Sequence, residues 1–232
     1  MNKITIYHGS ENIIQKPDLK AGKKHNDYGQ GFYCTEDIEL AKEWACKNET
    51  DGFANVYELD MSDLNVLNLN SEGYTILNWI AILLQHRVFT LDTPLSIQAR
   101  KHLIENFSIN VEEYDVIIGY RADDSYFSFA ESFVSNALSL TSLSKALRLG
   151  KLGEQIALVS ESAFEKLEYI ESDPAESSIY YPKFSARDFN ARKTYRDEIA
   201  HKENFLEDIF VLDIIRQEMK NDDPRIQRII SK

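Results

Sequence analysis

Cysteine is almost missing: Cys34 and Cys46 are the only two among 232 residues. Two thiols build neither a disulfide framework nor a four-ligand zinc site, and they suit a reducing compartment. No apolar run is long enough to span a bilayer; the richest, Trp79 to Leu84, is far too short. Met1 to Ile6 lack the basic-then-apolar layout of a secretory leader. These absences predict a cytoplasmic protein with no membrane contact. The five histidines are scattered and no His-Glu-x-x-His occurs, so the sequence predicts no metal site. Gly-x-Gly-x-x-Gly, a Gly-Lys-Ser/Thr phosphate loop and a Gly-x-Ser-x-Gly elbow are all absent. The common nucleotide folds and the hydrolase elbow therefore drop out.

Positive charge is also in short supply. Lys and Arg number 26 against 38 Asp and Glu, which gives a net charge of -12. Such a surface repels phosphate backbones at long range and disfavours nucleic-acid binding. The excess is confined to the first part of the chain: from Ala186 onward acidic and basic residues balance at 10 each. That shift predicts a domain over 1–185 followed by a helical C-terminal extension over 186–232. Hydrophobic residues make up 43% of the chain, enough for a substantial core.

Local patterns predict scattered strands with intervening helices, an α+β fold rather than a doubly wound parallel sheet. Ile4 to His8 reads as a strand ended by Gly9-Ser10, and Gln15 to Gln30 as a polar loop. Gly31 to Thr35 returns to strand character. Thr35 is the expected N-cap of a helix reaching about Lys47. Further strands are expected at Ala54–Leu59, Leu64–Leu69, Val116–Tyr120 and Gln155–Val159. Helices are expected at Tyr74–Arg87, from Thr93-Pro94 onward, at Tyr126–Asn136, and at Ser142–Leu149 closed by Gly150. Another is expected from a Ser185 cap to about His201. A last amphipathic helix over Glu203–Met219 carries an apolar stripe of Phe205, Ile209, Leu212 and Ile215, which must pack on the domain or on a partner.

Three short blocks remain as carriers of chemistry. The first is Tyr7-His8-Gly9-Ser10 at a strand end. The second is Asp27-Tyr28-Gly29-Gln30-Gly31-Phe32-Tyr33-Cys34-Thr35, followed by a helix with Ala41 and Trp44. The third is Gly153-Glu154-Gln155-Ile156-Ala157-Leu158. Tyr33 and Trp44 stand eleven residues apart across a strand-to-helix turn, a spacing that can set two rings around one slot for a flat cationic ring. Glycine beside His8 permits close approach of a ligand to the backbone. Each residue also has a plain reading. His8 can be a hydrogen-bonded strand end, Tyr33 and Trp44 core aromatics, and Tyr28 a brace for its turn. Gln155 can be an ordinary polar strand residue.

Taken together and in this order, the blocks resemble the ADP-ribosyltransferase superfamily, in its His-Tyr-Glu branch of poly(ADP-ribose) polymerases and diphtheria-type toxins. Over the first 200 residues the chain looks like a bacterial family of such domains, often encoded beside a small helical partner. The resemblance implies split antiparallel β-sheets with surrounding helices, and NAD as ADP-ribose donor. It implies catalytic roles for His8, Tyr33 and Gln155. His8 would bond the 2′-hydroxyl of the nicotinamide ribose, the Gly9 backbone would hold the carboxamide, and Ser10 would contact the adenosine side. Tyr33 and Trp44 would sandwich the nicotinamide ring, Tyr28 would stack on the adenine, and Gly31 and Thr35 would complete the NAD-binding set.

Two positions depart from the pattern. Gln155 stands where the branch carries glutamate, and an amide cannot set a full negative charge beside the positive charge that develops at the ribose carbon. Glu154 is adjacent but faces the other side of a strand. Ala41 replaces a serine that bonds the carboxamide, a contact Thr35 could supply. Asp123, Asp124 and Glu131 are further carboxylates, with helix capping and solvation as their plain roles. The resemblance thus implies a mono-ADP-ribosyltransferase acting on a protein or nucleic-acid acceptor. It further suggests the toxin or effector of a toxin–antitoxin or phage-defence system, restrained by a small antitoxin protein. The alternative is a catalytically weak NAD- or ADP-ribose-binding module. Replacing Gln155 with glutamate is expected to raise NAD hydrolysis.

Overall fold

The computed structural model describes residues 2–122, 124–147, 154–199 and 208–230. The fold is α+β, with seven strands in two sheets among the described residues. The chain divides into two compact units. One comprises Met1–Asn68, Val111–Arg121 and Leu152–Phe189, and the other Leu69–Asn110, Ala122–Lys151 and Asn190–Lys232. The units interleave along the chain, where the sequence reading cut it once, after residue 185.

The first unit holds both sheets. In one, β1 (Lys3–Ser10), β3 (Gly52–Asp60) and β7 (Leu167–Ala175) run antiparallel in the order β1-β3-β7. In the other, β2 (Phe32–Cys34), β6 (Glu154–Leu158), β5 (Val116–Tyr120) and β4 (Val66–Asn68) are ordered β2-β6-β5-β4. The β4–β5 pair is parallel, which corrects the expectation of purely antiparallel sheets. The reason lies in the connection. A parallel return needs a crossover of a dozen residues or more, and residues 69–110 provide it with α2 (Ile76–His86) and α3 (Pro94–Phe107). The sheets share a core of Ile6, Tyr57 and Leu59 from one and Phe32, Cys34, Val116, Ile156 and Leu158 from the other. Cys34 and Cys46 are buried free thiols, and burial raises both above the usual thiol range.

A backbone bridge also ties the sheets. Tyr7 and Thr35 exchange both backbone hydrogen bonds, at 2.8 and 3.0 Å. This tie relocates the first helix cap. Thr35 is spent on the bridge, and its Oγ1 accepts from the Asp37 N–H. Asp37 is the cap of α1 (Ile38–Ala45), accepting from Glu39 and Leu40 N–H. α1 then lies against the end of β1. A Cβ placed on Gly9 would sit 2.0 Å from the Ala41 carbonyl oxygen and 2.9 Å from the Trp44 Cβ. Gly9 is glycine because helix and strand approach this closely.

α7 (Ser177–Thr194) contains Ser185 in its interior, so Ser185 is no cap. The helix passes through Pro182 because α1 anchors it. Tyr180 and Lys183 bond Glu39, and Arg187 makes a two-pronged ion pair with the buried Glu43 at 2.8 and 2.6 Å. Asp51 accepts from both the N–H and the hydroxyl of Ser177 at its start. Tertiary contacts here override a local breaker signal. β7 and the short α6 (Glu161–Glu165) had no expectation attached to them.

The second unit is helical. α2 is apolar nearly all round and buried, with Thr75 and Asn78 forming its capping box. Thr93 and Pro94 start α3 as expected. α4 (Asp124–Val134) and α5 (Leu140–Ala146) follow; Gly150, Gly153 and Asp123 lie outside the described residues. Of the expected 203–219 helix, residues 203–207 lie outside the described residues; the described part forms α8 (Val211–Arg216), where Asp213 accepts from the Phe210 N–H and starts the helix. Ile209, Phe210, Val211 and Ile214 are buried in this unit, with the Leu140 N–H on the Ile209 carbonyl. Phe205 lies outside the described residues. α9 (Pro224–Ile230) ends the unit, and no helix among the described residues is long and apolar enough to cross a membrane.

Gly9→Ala is expected to lower the midpoint of thermal unfolding, since the added methyl meets backbone and costs about 1–3 kcal/mol or more. An unchanged midpoint would mean that α1 does not press on β1 as described.

Candidate functional site

The sheet tie brings the three blocks together. β1 delivers His8, Gly9 and Ser10 beside β2, which carries Phe32 and Tyr33. The His8 ring stacks on Phe32, with centroids 4.2 Å apart and planes 25° off parallel. His8 Nδ1 lies 2.7 Å from the Tyr33 carbonyl oxygen. A carbonyl only accepts, so Nδ1 carries the hydrogen and Nε2 of the neutral ring is left as an acceptor. Burial pushes the imidazole from its ordinary 6.5 down to about 4, against the Tyr33 carbonyl and with help from the Lys47 charge. His8 is therefore neutral at physiological pH.

The contacts continue from Tyr33 into the loop before it. The Tyr33 hydroxyl donates to the Gly29 carbonyl at 2.6 Å and accepts from the Tyr28 N–H at 3.1 Å. Gly29 has φ of 83°, a left-handed turn that favours glycine. Tyr28 is buried, its ring 6.5 Å from that of Tyr33 and nearly parallel, and its hydroxyl donates to the Tyr120 carbonyl at 2.8 Å. These contacts describe the brace reading of Tyr28; a buried ring offers no open face to an adenine. Gly31 approaches β6 so closely that a Cβ would lie 2.7 Å from the Leu158 carbonyl oxygen.

The third block joins at the same carbonyl. Gln155 is buried, and its Nε2 donates to the Tyr120 carbonyl at 3.1 Å and to Asp27 Oδ2 at 2.8 Å. Asp27 is itself buried. Glu154 is exposed, on the opposite face of the strand as its position requires. A continuous run of contacts thus links His8, Tyr33, Tyr28, Tyr120, Gln155 and Asp27.

Trp44 departs from its expected role. The Arg121 guanidinium lies over its ring at 4.2 Å, so one face is taken by a cation. The ring beside Tyr33 is that of Tyr28. The indole Nε1–H is buried with no hydrogen-bond partner, an orphan donor of the kind a ligand satisfies. Ser10 Oγ accepts from the Asn12 N–H, and Thr35 is buried, its backbone on the bridge and its Oγ1 accepting from the Asp37 N–H. Ala41 offers only its backbone, pressed against Gly9. Glu131 belongs to the second unit, where it accepts from the Thr90 N–H.

Asn55 is the positioning residue that the sequence reading missed. Fully buried, it donates to the His8 and Asn12 carbonyls and accepts from the Ile14 N–H and Ser172 hydroxyl. The Tyr57 hydroxyl donates to the Ile14 carbonyl. Together they fix the chain just after His8. An asparagine inside the apolar run Phe53-Ala54-Asn55-Val56-Tyr57 was the available signal. Asp27 gave none, because an aspartate in a polar loop is ordinarily solvated.

The depressed His8 sets a pH dependence. The unfolded chain takes up this proton near pH 6.5 and the folded one only near pH 4. Stability linked to His8 is complete above 6.5 and lost as pH falls to 4. The loss is at most about 3 kcal/mol. Denaturant unfolding of the parent and of His8→Gln across this window should diverge on acidification, with the variant falling less. Parallel curves would mean that His8 is not held neutral.

Neither a curated protein nor a solved structure matches the chain. A family model does, over residues 4–169, a span that covers most of both sheets and every residue of the site. The chain belongs to the family that this model defines, described as a protein of unknown function, DUF3990.

Proposed function

We propose that the chain is an NAD-dependent mono-ADP-ribosyltransferase. The observation that carries the reading is the contact run from His8 through Tyr33 to Gln155. Three blocks far apart in sequence, singled out for NAD chemistry, meet in one hydrogen-bonded site. Two sheets joined at the Tyr7–Thr35 bridge suit the split-sheet architecture of that superfamily.

The residues fit a dinucleotide in chemical terms. Neutral His8 has its tautomer fixed, and Nε2 suits a ribose hydroxyl donor. The orphan Trp44 Nε1–H and the neighbouring Arg121 suit an acceptor-rich, anionic ligand. NAD supplies a glycosidic C–N bond that breaks with its electron pair leaving on nicotinamide. The acceptor's lone pair then bonds the ribose carbon and its proton is released. The chain's part is to hold the ribose on His8, to keep Tyr33 rigid through the Gly29 and Tyr28 backbone, and to set Gln155 against the reacting sugar. The acceptor, a protein side chain or a nucleic-acid base, is read from the resemblance alone. So are the toxin or effector role and restraint by a small antitoxin protein. Of the stripe that could meet such a partner, Ile209 is buried in the second unit, while Leu212 and Ile215 are half-buried.

A second reading, NAD or ADP-ribose binding without transfer, is favoured by Gln155 standing in place of a carboxylate. Two measurements separate the readings. NAD at 100 times its Kd should stabilise the parent by about 2.7 kcal/mol. His8→Ala and Tyr33→Ala should lose most of that shift while still unfolding cooperatively. Incubation with NAD and a bacterial lysate should release nicotinamide and leave labelled ADP-ribose on a macromolecular fraction. A thermal shift without nicotinamide release favours the binding module, and neither effect at millimolar NAD overturns both readings.

A further inference from the structure

The amide of Gln155 has both of its hydrogens committed. Nε2 faces two acceptors, the Tyr120 carbonyl and the Asp27 carboxyl, so the amide orientation is set by chemistry: reversing it would set Oε1 against the Tyr120 carbonyl oxygen. The hydrogen-bonding capacity left to this side chain is the acceptor Oε1. One of the two partners is a buried carboxyl group, 5% exposed. Burying a carboxylate is costly, and an asparagine at position 27 would offer Gln155 an acceptor without that cost. A carboxylate behind the N–H end of an amide draws electron density toward the oxygen and strengthens what the oxygen accepts.

We infer that Asp27 is a positioning residue that acts through Gln155, fixing and polarising its amide so that Oε1 serves the ribose as the missing glutamate would. The inference rests on the transferase reading of the site. The charge lies one side chain further back, carried by the loop that also holds Tyr28 and Gly29. The same geometry reverses the expectation for Gln155→Glu. That variant sets a second carboxyl group 2.8 Å from Asp27 and against the Tyr120 carbonyl. Two carboxylates this close cannot both ionise, so the variant loses stability at neutral pH instead of gaining activity.

The test is single-turnover release of nicotinamide from NAD by the full chain, with NAD affinity measured alongside. Asp27→Asn is isosteric and keeps an acceptor for Gln155, so it should slow release by about tenfold or more while the Kd for NAD stays within about threefold. In a Gln155→Ala background, Asp27→Asn should have no further effect, because the route through the amide is already cut. Full turnover by a folded Asp27→Asn variant overturns the inference, as does an equal loss in the Gln155→Ala background. Should Asp27→Asn fail to fold, Asp27→Glu takes its place: turnover within about fivefold of the parent upholds the inference, and turnover as low as that of Gln155→Ala overturns it. A parent that neither binds NAD nor releases nicotinamide overturns the transferase reading, and this inference with it. A parent that releases nicotinamide equally well without the Asp27 charge leaves that reading standing.

Discussion

Two backbone hydrogen bonds between Tyr7 and Thr35 join sheets that otherwise have separate strand orders. Beside them, and over the core the sheets share, the imidazole at the end of one sheet lies on Phe32 at the edge of the other, Nδ1 reaches the Tyr33 carbonyl, and the ring is held neutral in one tautomer. Two residues past the bridge, Asp37 caps α1, and the helix lies against Gly9, one residue past His8.

Beyond the bridge, the site is built largely from main-chain acceptors. The Gly29 carbonyl holds the Tyr33 hydroxyl, and the Tyr120 carbonyl holds both Tyr28 and Gln155. Tyr120 ends β5 and Gly29 lies in the loop before β2, so main-chain groups fixed by the fold hold the rotamers of these side chains. Asn55 does the same for the segment after His8, with four bonds from one amide. Asp27 and Arg121 each lie against a neutral side chain, Gln155 and Trp44.

The sequence made the strands and their blocks legible where local signals and tertiary needs agree. Alternating or continuous apolar runs marked Ile4–His8, Val116–Tyr120 and Gln155–Val159, and Thr93-Pro94 marked the start of α3. Signals failed where a distant partner decides. Ser185 reads as a cap after Pro182, yet Glu39 and Glu43 on α1 hold α7 straight through it. Thr35 reads as a cap, yet Tyr7 takes its backbone. Leu167–Ala175 has too many charges and a proline to look like a strand, and it forms one by pairing with β3. Within the site, the grouping of His8, Tyr33 and Gln155 was visible as motif, but their wiring was not. Nothing local tells that Tyr28 turns inward to Tyr120, that Arg121 covers Trp44, or that Asp27 is buried against Gln155.

The proposed joining of three separated blocks into one nucleotide site at the seam of two sheets is tested by amide hydrogen exchange of the full chain, with and without saturating NAD. Slowed exchange is expected in all three segments together: Ile4–Ser10, Asp27–Thr35 and Gln155–Leu158. Protection that spares these segments, or no change anywhere, would contradict it.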